Sequence, residues 1–389
     1  MSDGRRSGLL ARSKRWLSRR IGMGPAHRSR LADADVRIAV SGTRGKSSVT
    51  RWLHDAFHER GRDTYAKVTG TTPVSVVNGV EREIPRDRRV TLYENEREFA
   101  RHAPAEVAVF ENQGITPYTT RLVNENYVDP DVVVLCNVRS DHLGTLGNDR
   151  REIARGLARA VPKGTTVVCG ERDERLRSYL ERELDRREAT YEHVSVPDEH
   201  AHVPGSECVY AVDATLAAVG EDGLTYETVS RLVDSMRVSW TDLPAGPVYN
   251  AADVNDVEST EVVRRSLVAE TGVGHHVLPV VYLRHDRRGR TASFRRYLDD
   301  LSDRKVVSRV VEVGDGPGVD VFADALDVPV ETYAADATDP EALLDATLSP
   351  ERPTMLMGNT VASFMEAVES AIEDRAAAAA VDRDDDTNV

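Results

Sequence analysis

The stretch that most constrains what this chain can fold into runs from Val36 to Leu53, VRIAVSGTRGKSSVTRWL. Val36, Ile38, Ala39 and Val40 predict a largely buried strand, with Arg37 near its start where the side chain can still reach solvent. Gly42 and Gly45 let the backbone curl, and Val49, Trp52, Leu53 and Phe57 then recur at helical intervals. A strand feeding a glycine turn that opens a helix aims several backbone N–H groups at one point, with the positive end of the helix dipole behind them. Such a point suits a phosphate. Gly42, Thr43, Arg44, Gly45, Lys46, Ser47 and Ser48 are therefore candidate ATP-binding residues. Lys46 would neutralise charge on the outer phosphates, and the Ser47 hydroxyl would hold a phosphate-bound magnesium ion. A strict Walker A loop would carry glycine at position 40; this chain has Val40 there and its extra glycine at position 42. The competing view is an ordinary strand-turn-helix corner with a chance Gly-Lys-Ser, which the coincidence of all three elements disfavours.

From residue 36 onward strand and helix patterns alternate. Strands are expected at 36–40, 64–68, 107–110, 132–136 and 165–169, then in a second block at 277–283, 306–313 and 354–357. Alternation of this kind implies βαβ units and parallel sheets covered on both faces, with a nucleotide at the carboxyl ends of the strands. The expected fold class is α/β: a P-loop parallel-sheet nucleotide-binding domain followed by a smaller Rossmann-like α/β domain. A chain of 389 residues has room for both cores. The expected division is a basic N-terminal arm (1–35), an ATP-binding domain (36–236), a C-terminal Rossmann-like domain (237–375) and an acidic tail (376–389), with Thr241–Pro247 read as the hinge.

A formal net charge of −14 argues against general nucleic-acid binding. The three cysteines, Cys136, Cys169 and Cys208, are odd in number and far apart, which suits small apolar core residues better than a disulfide framework or a zinc site. No window reaches the apolar length of a membrane span, and the start lacks the features of a signal peptide, so a cytoplasmic location is expected. The arm interleaves Arg12, Lys14, Arg15, Arg19 and Arg20 with Leu9, Leu10, Trp16, Leu17 and Ile21. It fits equally a helix lying on an anionic membrane surface and a solvated leader that packs on the domain. The only lysines are Lys14, Lys46, Lys67, Lys163 and Lys305. An acid-rich, lysine-poor chain suits a high-salt cytoplasm, although GC-rich coding produces a similar arginine bias.

Several polar clusters end apolar runs. Val107-Ala-Val-Phe-Glu111 places a carboxylate at the strand edge where phosphates would lie, able to hold magnesium directly or through water. The next strand is followed by Asn137-Val-Arg-Ser-Asp141-His142-Leu143. Two consecutive strands that each end in a ligand type, downstream of a phosphate loop, favour a metal role over a surface pair. Tyr249-Asn-Ala-Ala-Asp253-Val-Asn255-Asp256 reads on its own as an Asx-rich helix cap. Arg284, Asp286, Arg287 and Arg290 form a charged cluster that suits either bidentate capture of a carboxylate or a solvated loop. Gly358-Asn359 is a weaker candidate.

The loop S-G-T-R-G-K-S-S, its continuation through Arg51, and Lys67-Val-Thr-Gly-Thr-Thr72 resemble the Mur ligase superfamily. Within it the chain looks most like the ligase subunits of capsular poly-γ-glutamate synthases. The segment from Asn137 to Leu143 resembles the family pattern Asn-x-x-x-Asp-His-Leu, with Gly144 where an aspartate often follows. Many Mur ligases place a carbamylated lysine on the next helix; Arg151 to Val161 contains no lysine, which favours the poly-γ-glutamate branch. The resemblance implies that His142 binds a second magnesium with help from Glu111, and that Arg237 touches the nucleotide phosphates when the domains close. It also implies that Asn250, Asn255 and Asp256 contact ribose and γ-phosphate, and it tips the Arg284 to Arg290 cluster toward substrate binding. The implied activity is an ATP- and Mg2+-dependent amide ligase acting through an acyl phosphate on glutamate or a glutamate-ended acceptor. A membrane partner subunit and a homo-oligomer are compatible with it. The alternatives are a folylpolyglutamate-like or muramyl-peptide-like ligase, or a nucleotide-dependent switch ATPase without ligase chemistry.

Overall fold

The computed structural model describes residues 24–387 except 71, 87–89, 141–143, 255, 272–275, 285–287, 316–325 and 359–362. The chain divides into two compact units: one takes it through Ser235 apart from Ala201–Pro204, the other takes Ala201–Pro204 and everything from Met236. Most of the basic arm lies outside the described residues, and its described end is helix α1 (Pro25–Ala32).

The first unit holds an eight-stranded sheet. Its strands are β1 (Val36–Ser41), β2 (Thr64–Val68), β3 (Val74–Val77), β4 (Val80–Glu83), β5 (Val107–Glu111), β6 (Val132–Leu135), β7 (Thr166–Cys169) and β8 (Thr190–His193). They lie in the order β4-β3-β2-β5-β1-β6-β7-β8, and only the β2–β3 and β3–β4 pairs are antiparallel. The helices are α2 (Lys46–Glu59), α3 (Tyr93–His102), α4 (Pro117–Leu122), α5 (Arg150–Arg159), α6 (Glu174–Asp185), α7 (Ser206–Ala218) and α8 (Tyr226–Asp234). The uniform apolar runs of β5 and β6 are buried because both faces of the sheet are covered. One face packs Tyr65, Phe99, Phe110 and Ile153; the other packs Val49, Leu53 and Phe57 of α2 with Cys208 and Val212 of α7. All three cysteines are free and buried. Arg37, the one charge in β1, is half-buried and held by Asp129 at 2.9 Å and Asp131 at 2.8 Å, so the strand tolerates it.

Chain order places the site. The chain leaves β1 for strands on one side and later reaches β6 on the other, so β1 lies at the topological switch point, where open α/β sheets bind ligands. Register then fixes three strand tips together: Val40 is opposite Glu111, and Ser41 is opposite Leu135.

The second unit has a six-stranded sheet of β9 (Thr241–Leu243), β10 (Gly246–Asn250), β11 (Leu278–Arg284), β12 (Val310–Asp315), β13 (Val330–Ala334) and β14 (Thr354–Gly358). The order is β13-β12-β11-β14-β10-β9, parallel apart from β9 against β10. Helices α9 (Val257–Thr271), α10 (Arg288–Asp303), α11 (Pro340–Thr347) and α12 (Ser363–Thr387) accompany it. Leu243, Val248 and Val280 pack with Leu356 and Met365 on one face, and Val281 and Leu283 with Phe294 and Met355 on the other. The stretch read as a hinge, Thr241–Pro247, is an antiparallel edge hairpin, with Gly246 opposite Leu243 and Val248 opposite Thr241. Its turn residues are real, but the buried Leu243 and Val248 flanking them join the sheet core. The alanine run after residue 375 continues α12.

A charged cluster pins α9 to α10. Glu261 accepts from Arg264 (2.7 Å), Arg265 (2.7 Å) and the Tyr297 hydroxyl (2.8 Å). Burial alone would raise the Glu261 pKa, but these bonds outweigh it and hold it down at about 2. A carboxylate whose folded pKa is depressed stabilises fully above its unfolded value and loses that contribution as pH falls toward the folded one. Thermal denaturation of the second unit should therefore show a loss of up to about 3 kcal/mol between roughly pH 4.5 and pH 2 that Glu261→Gln removes.

Candidate functional site

The loop between β1 and α2 is shaped by two glycines. Gly42 has φ +117° and Gly45 has φ +79°, both in the left-handed region that side chains disfavour. Space gives a second reason: a Cβ at Gly42 would meet the Asn137 carbonyl at 3.0 Å, and one at Gly45 would lie 2.4 Å from the Cys208 sulfur. No side chain caps α2, so its first N–H groups are left for an anion. Lys46 folds over the loop, its ammonium donating to the carbonyls of Gly42 (3.0 Å) and Thr43 (3.2 Å).

Asn137, at the tip of β6, clamps the loop. Its side-chain oxygen accepts from the Thr43 hydroxyl (2.9 Å) and the Arg44 N–H (3.0 Å), and its carbonyl accepts from the Thr43 N–H (3.1 Å). The Thr43 hydroxyl oxygen in turn accepts from the Arg139 N–H (2.7 Å). Glu207 completes the set, accepting from the Asn137 amide and from Arg139, both at 3.2 Å. Sequence reasoning used Asn137 only as the first letter of a motif and overlooked Glu207; nothing local signals a contact made across 70 residues.

Glu111, at the tip of β5, is 4 % exposed. One of its carboxylate oxygens accepts from the Ser47 hydroxyl (3.0 Å) and the Thr69 N–H (2.7 Å). Two hard oxygen donors thus converge at the uncapped helix end, a donor type that suits magnesium. Among the described residues no group of three or more His, Cys, Asp or Glu could hold a metal by itself. Magnesium commonly takes only one or two protein oxygens and completes its shell with phosphates and water, so this donor set fits it.

Behind Glu111 lies a buried lysine. Lys67 of β2 is fully buried; its ammonium donates to Gln113 (2.6 Å) and pairs with Glu94 of α3 (3.0 Å), which also takes Arg86 in bidentate fashion at 2.8 and 2.9 Å. Burial pushes the Lys67 pKa down to about 8 despite the carboxylates. Burial would raise Glu94, yet its bonds to Arg86 and Lys67 hold it below the usual carboxylate value. Lys67→Met should destabilise the first unit by about 3 kcal/mol in urea denaturation, because it strips one counter-ion from a buried carboxylate. Lys46, Glu111, Arg86 and Gln113, with Val90 and Ile115 at its rim, help line a cavity of about 530 Å³.

The remaining candidates are dispersed. His142, with Asp141, Asn255, Asp286, Arg287 and Asn359, lies outside the described residues. Arg237, Asn250, Asp256, Arg284 and Arg290 belong to the second unit. Arg237 lies in the segment after α8 and bonds the His202 ring at 3.3 Å. Asn250 ends β10 and accepts from the Ala252 N–H (3.1 Å), while Asp256 is buried and accepts from the Ser259 N–H (2.9 Å) at the start of α9. Arg284 ends β11, Arg290 sits in the first turn of α10, and Gly358 ends β14.

A parallel sheet with its phosphate loop after the central strand and a carboxylate on the neighbouring strand tip defines a P-loop nucleotide-binding fold. Residues 40–210, within the first unit, match the Mur ligase middle domain. More particularly, the chain is similar to "Capsule biosynthesis protein CapB" of Bacillus anthracis, 27% identical over 147 residues that make up 36% of this chain and 32% of that one. It is 26% identical over 147 residues to "PGA synthase CapB" of Bacillus subtilis, covering 36% of this chain and 37% of that one. The chain thus matches about a third of the length of these curated relatives. Among solved structures it resembles a bifunctional folylpolyglutamate synthase/dihydrofolate synthase with Mn, AMPPNP and L-glutamate bound, with TM-score 0.56, 16% identity, and coverage of 89% of this chain and 91% of that one. At that identity the likeness is one of fold. No described helix is long and apolar enough to cross a membrane.

Proposed function

We propose that this protein is an ATP-dependent amide ligase that works through an acyl phosphate and joins glutamate units by γ-carboxyl linkage, as in poly-γ-glutamate synthesis. The observation that carries the reading is the meeting of Ser47 and Glu111 at 3.0 Å beside Lys46, at an uncapped helix end that opens on a cavity lined by both Lys46 and Glu111. The Mur ligase match, the names of the CapB relatives and the glutamate-bound fold neighbour support it.

The loop N–H groups bind the nucleotide phosphates, and Lys46 exchanges the Gly42 and Thr43 carbonyls for phosphate oxygens. A γ-carboxylate oxygen of the acceptor attacks the γ-phosphorus, the bond to the β-phosphate oxygen breaks, and ADP leaves. The amine of the incoming glutamate attacks the acyl carbon, loses a proton and expels inorganic phosphate. Lys46 stabilises charge on the phosphoryl group during the first step. Magnesium, held through Ser47, Glu111 and His142, would supply further charge neutralisation. Arg237, Asn250, Asn255 and Asp256 are assigned to the nucleotide, and Arg284, Asp286, Arg287 and Arg290 to the substrate, the three arginines through its carboxylates. His142→Ala should lower amine-dependent turnover on the order of a hundredfold; full retained activity would remove His142 from the metal site.

The test is ADP release by purified protein with ATP, Mg2+ and each candidate amino acid in turn, with products read by mass. Glutamate should stimulate release and appear in an amide product, with and without the membrane fraction that could hold a partner subunit. Hydrolysis indifferent to every amino acid would replace the ligase by a switch ATPase. One observation favours a folylpolyglutamate-like acceptor instead: the exposed Val90 and Ile115, with Leu92, give the cavity an apolar rim that a free glutamate chain does not need. Faster glutamate addition to a pteroate acceptor than to glutamate oligomers would select it.

A further inference from the structure

The helices that follow β6 and β7 carry a second concentration of charge. Arg151, Arg155 and Arg159 recur every four residues along α5 and form one stripe. Tyr179, Arg182 and Glu183 share a face of the neighbouring α6, and Arg186 caps its C-terminal end. Together these side chains line a groove of about 290 Å³. Tyr179 organises one wall: the Arg155 guanidinium donates to its hydroxyl at 2.9 Å, and the Arg151 guanidinium stacks 4.8 Å above its ring. Glu183 is buried and pairs with Arg159 at 3.5 Å and with Arg186. Arg182 has no ion pair among the described residues. The groove therefore sets five guanidinium groups against one carboxylate, on a chain of formal net charge −14. Like charges that line one groove repel one another, and an anion entering it relieves that repulsion.

The groove also begins near the phosphate loop. Arg150, the first residue of α5, donates to the Val138 carbonyl at 3.0 Å, one residue beyond the Asn137 that clamps the loop. From there α5 carries the stripe away over roughly 12 Å between Arg151 and Arg159. An extended chain covers that distance with about four residues.

We propose that this groove binds an acidic polypeptide chain through its carboxylates. Resting on the ligase reading, that chain is the polyglutamate product, held behind its reacting end between additions. Planar guanidinium forks match carboxylates in bidentate geometry. Single-stranded nucleic acid fits less well: the one aromatic ring, Tyr179, is 8 % exposed and already covered by Arg151, so it offers no base a stacking platform.

The test is fluorescence anisotropy of fluorescein-labelled polyglutamate with the full-length protein, without ATP, across a salt series. The Arg151→Gln/Arg182→Gln variant should bind about tenfold more weakly with a flatter salt dependence. The variant Arg28→Gln/Arg231→Gln, which removes the same charge from exposed positions of α1 and α8, should change affinity by less than about twofold. Equal loss in both variants, no loss in the first, or competition by single-stranded DNA as strong as that by unlabelled polyglutamate would overturn the proposal. Should the first variant unfold at lower temperature, Arg151→Lys/Arg182→Lys keeps the charge but not the fork, and binding by it as tight as wild type would overturn the bidentate basis. Binding needs no turnover, so the two readings separate. A protein that forms no amide but loses polyglutamate when Arg151 and Arg182 are changed refutes the ligase alone. A working ligase whose polymer affinity and product length ignore these residues refutes the groove alone.

Discussion

Lys46→Ala should lower ATP turnover by about a thousandfold or more while leaving the melting temperature within a few degrees of wild type. The ammonium is half-buried and, among the described residues, bonded only to the loop carbonyls of Gly42 and Thr43, so little of the described fold depends on it. Its effect falls on the charge of the transferring phosphoryl group, where removing one preorganised cation is costly. Single-turnover measurement of ADP formation reads this directly. Turnover within tenfold of wild type would remove the loop from the chemistry.

Glu111→Gln should have the next largest effect, a loss of about a hundredfold or more in turnover together with a raised magnesium requirement. Glutamine keeps the size of the side chain and an oxygen that can accept from the Thr69 N–H, so the strand tip should survive. What disappears is the negative charge beside the Ser47 hydroxyl. Titrating the rate against magnesium separates the two roles: a purely structural glutamate would shift stability and leave the magnesium half-saturation where it was.

The architecture was legible where local pattern and tertiary role coincide. The apolar runs ending at Ser41, Glu111 and Leu135 are buried on both faces, which is why they read as strands without alternation. The P-loop sheet followed by a smaller Rossmann-like sheet is the architecture found. The short edge strands were missed for a different reason. β4 is exposed along its whole length and carries three charged residues out of four, so no hydrophobic period marks it. The Asn78-Gly79 pair between β3 and β4 was the available signal, since that dipeptide favours tight hairpin turns. The segment from Thr241 to Pro247 misled because proline and glycine mark a hairpin turn as readily as a break between domains.

In the candidate site, the sequence pointed to the loop and to Glu111, residues that stand at element ends in recognisable motifs. It did not point to the supports. Asn137 and Cys208 reach the loop, and Glu207 reaches Asn137, from strands and helices far along the chain, and Lys67 meets Glu94 and Gln113 only once the sheet has formed. Such contacts have no period and no local composition. Lys67 did carry one hint: a lone lysine inside an apolar strand of a lysine-poor chain needs a buried counter-ion.

The central claim is that a carboxylate is activated as an acyl phosphate, and oxygen tracing tests it most directly. An acceptor labelled with 18O in its γ-carboxylate is incubated with the full-length protein, ATP, Mg2+ and glutamate, and the inorganic phosphate released is weighed by mass spectrometry. Acyl-phosphate chemistry transfers one labelled carboxylate oxygen to each phosphate as the amide forms. Unlabelled phosphate released alongside ADP would mean that water, not the acceptor, attacks ATP, and the ligase account would fail.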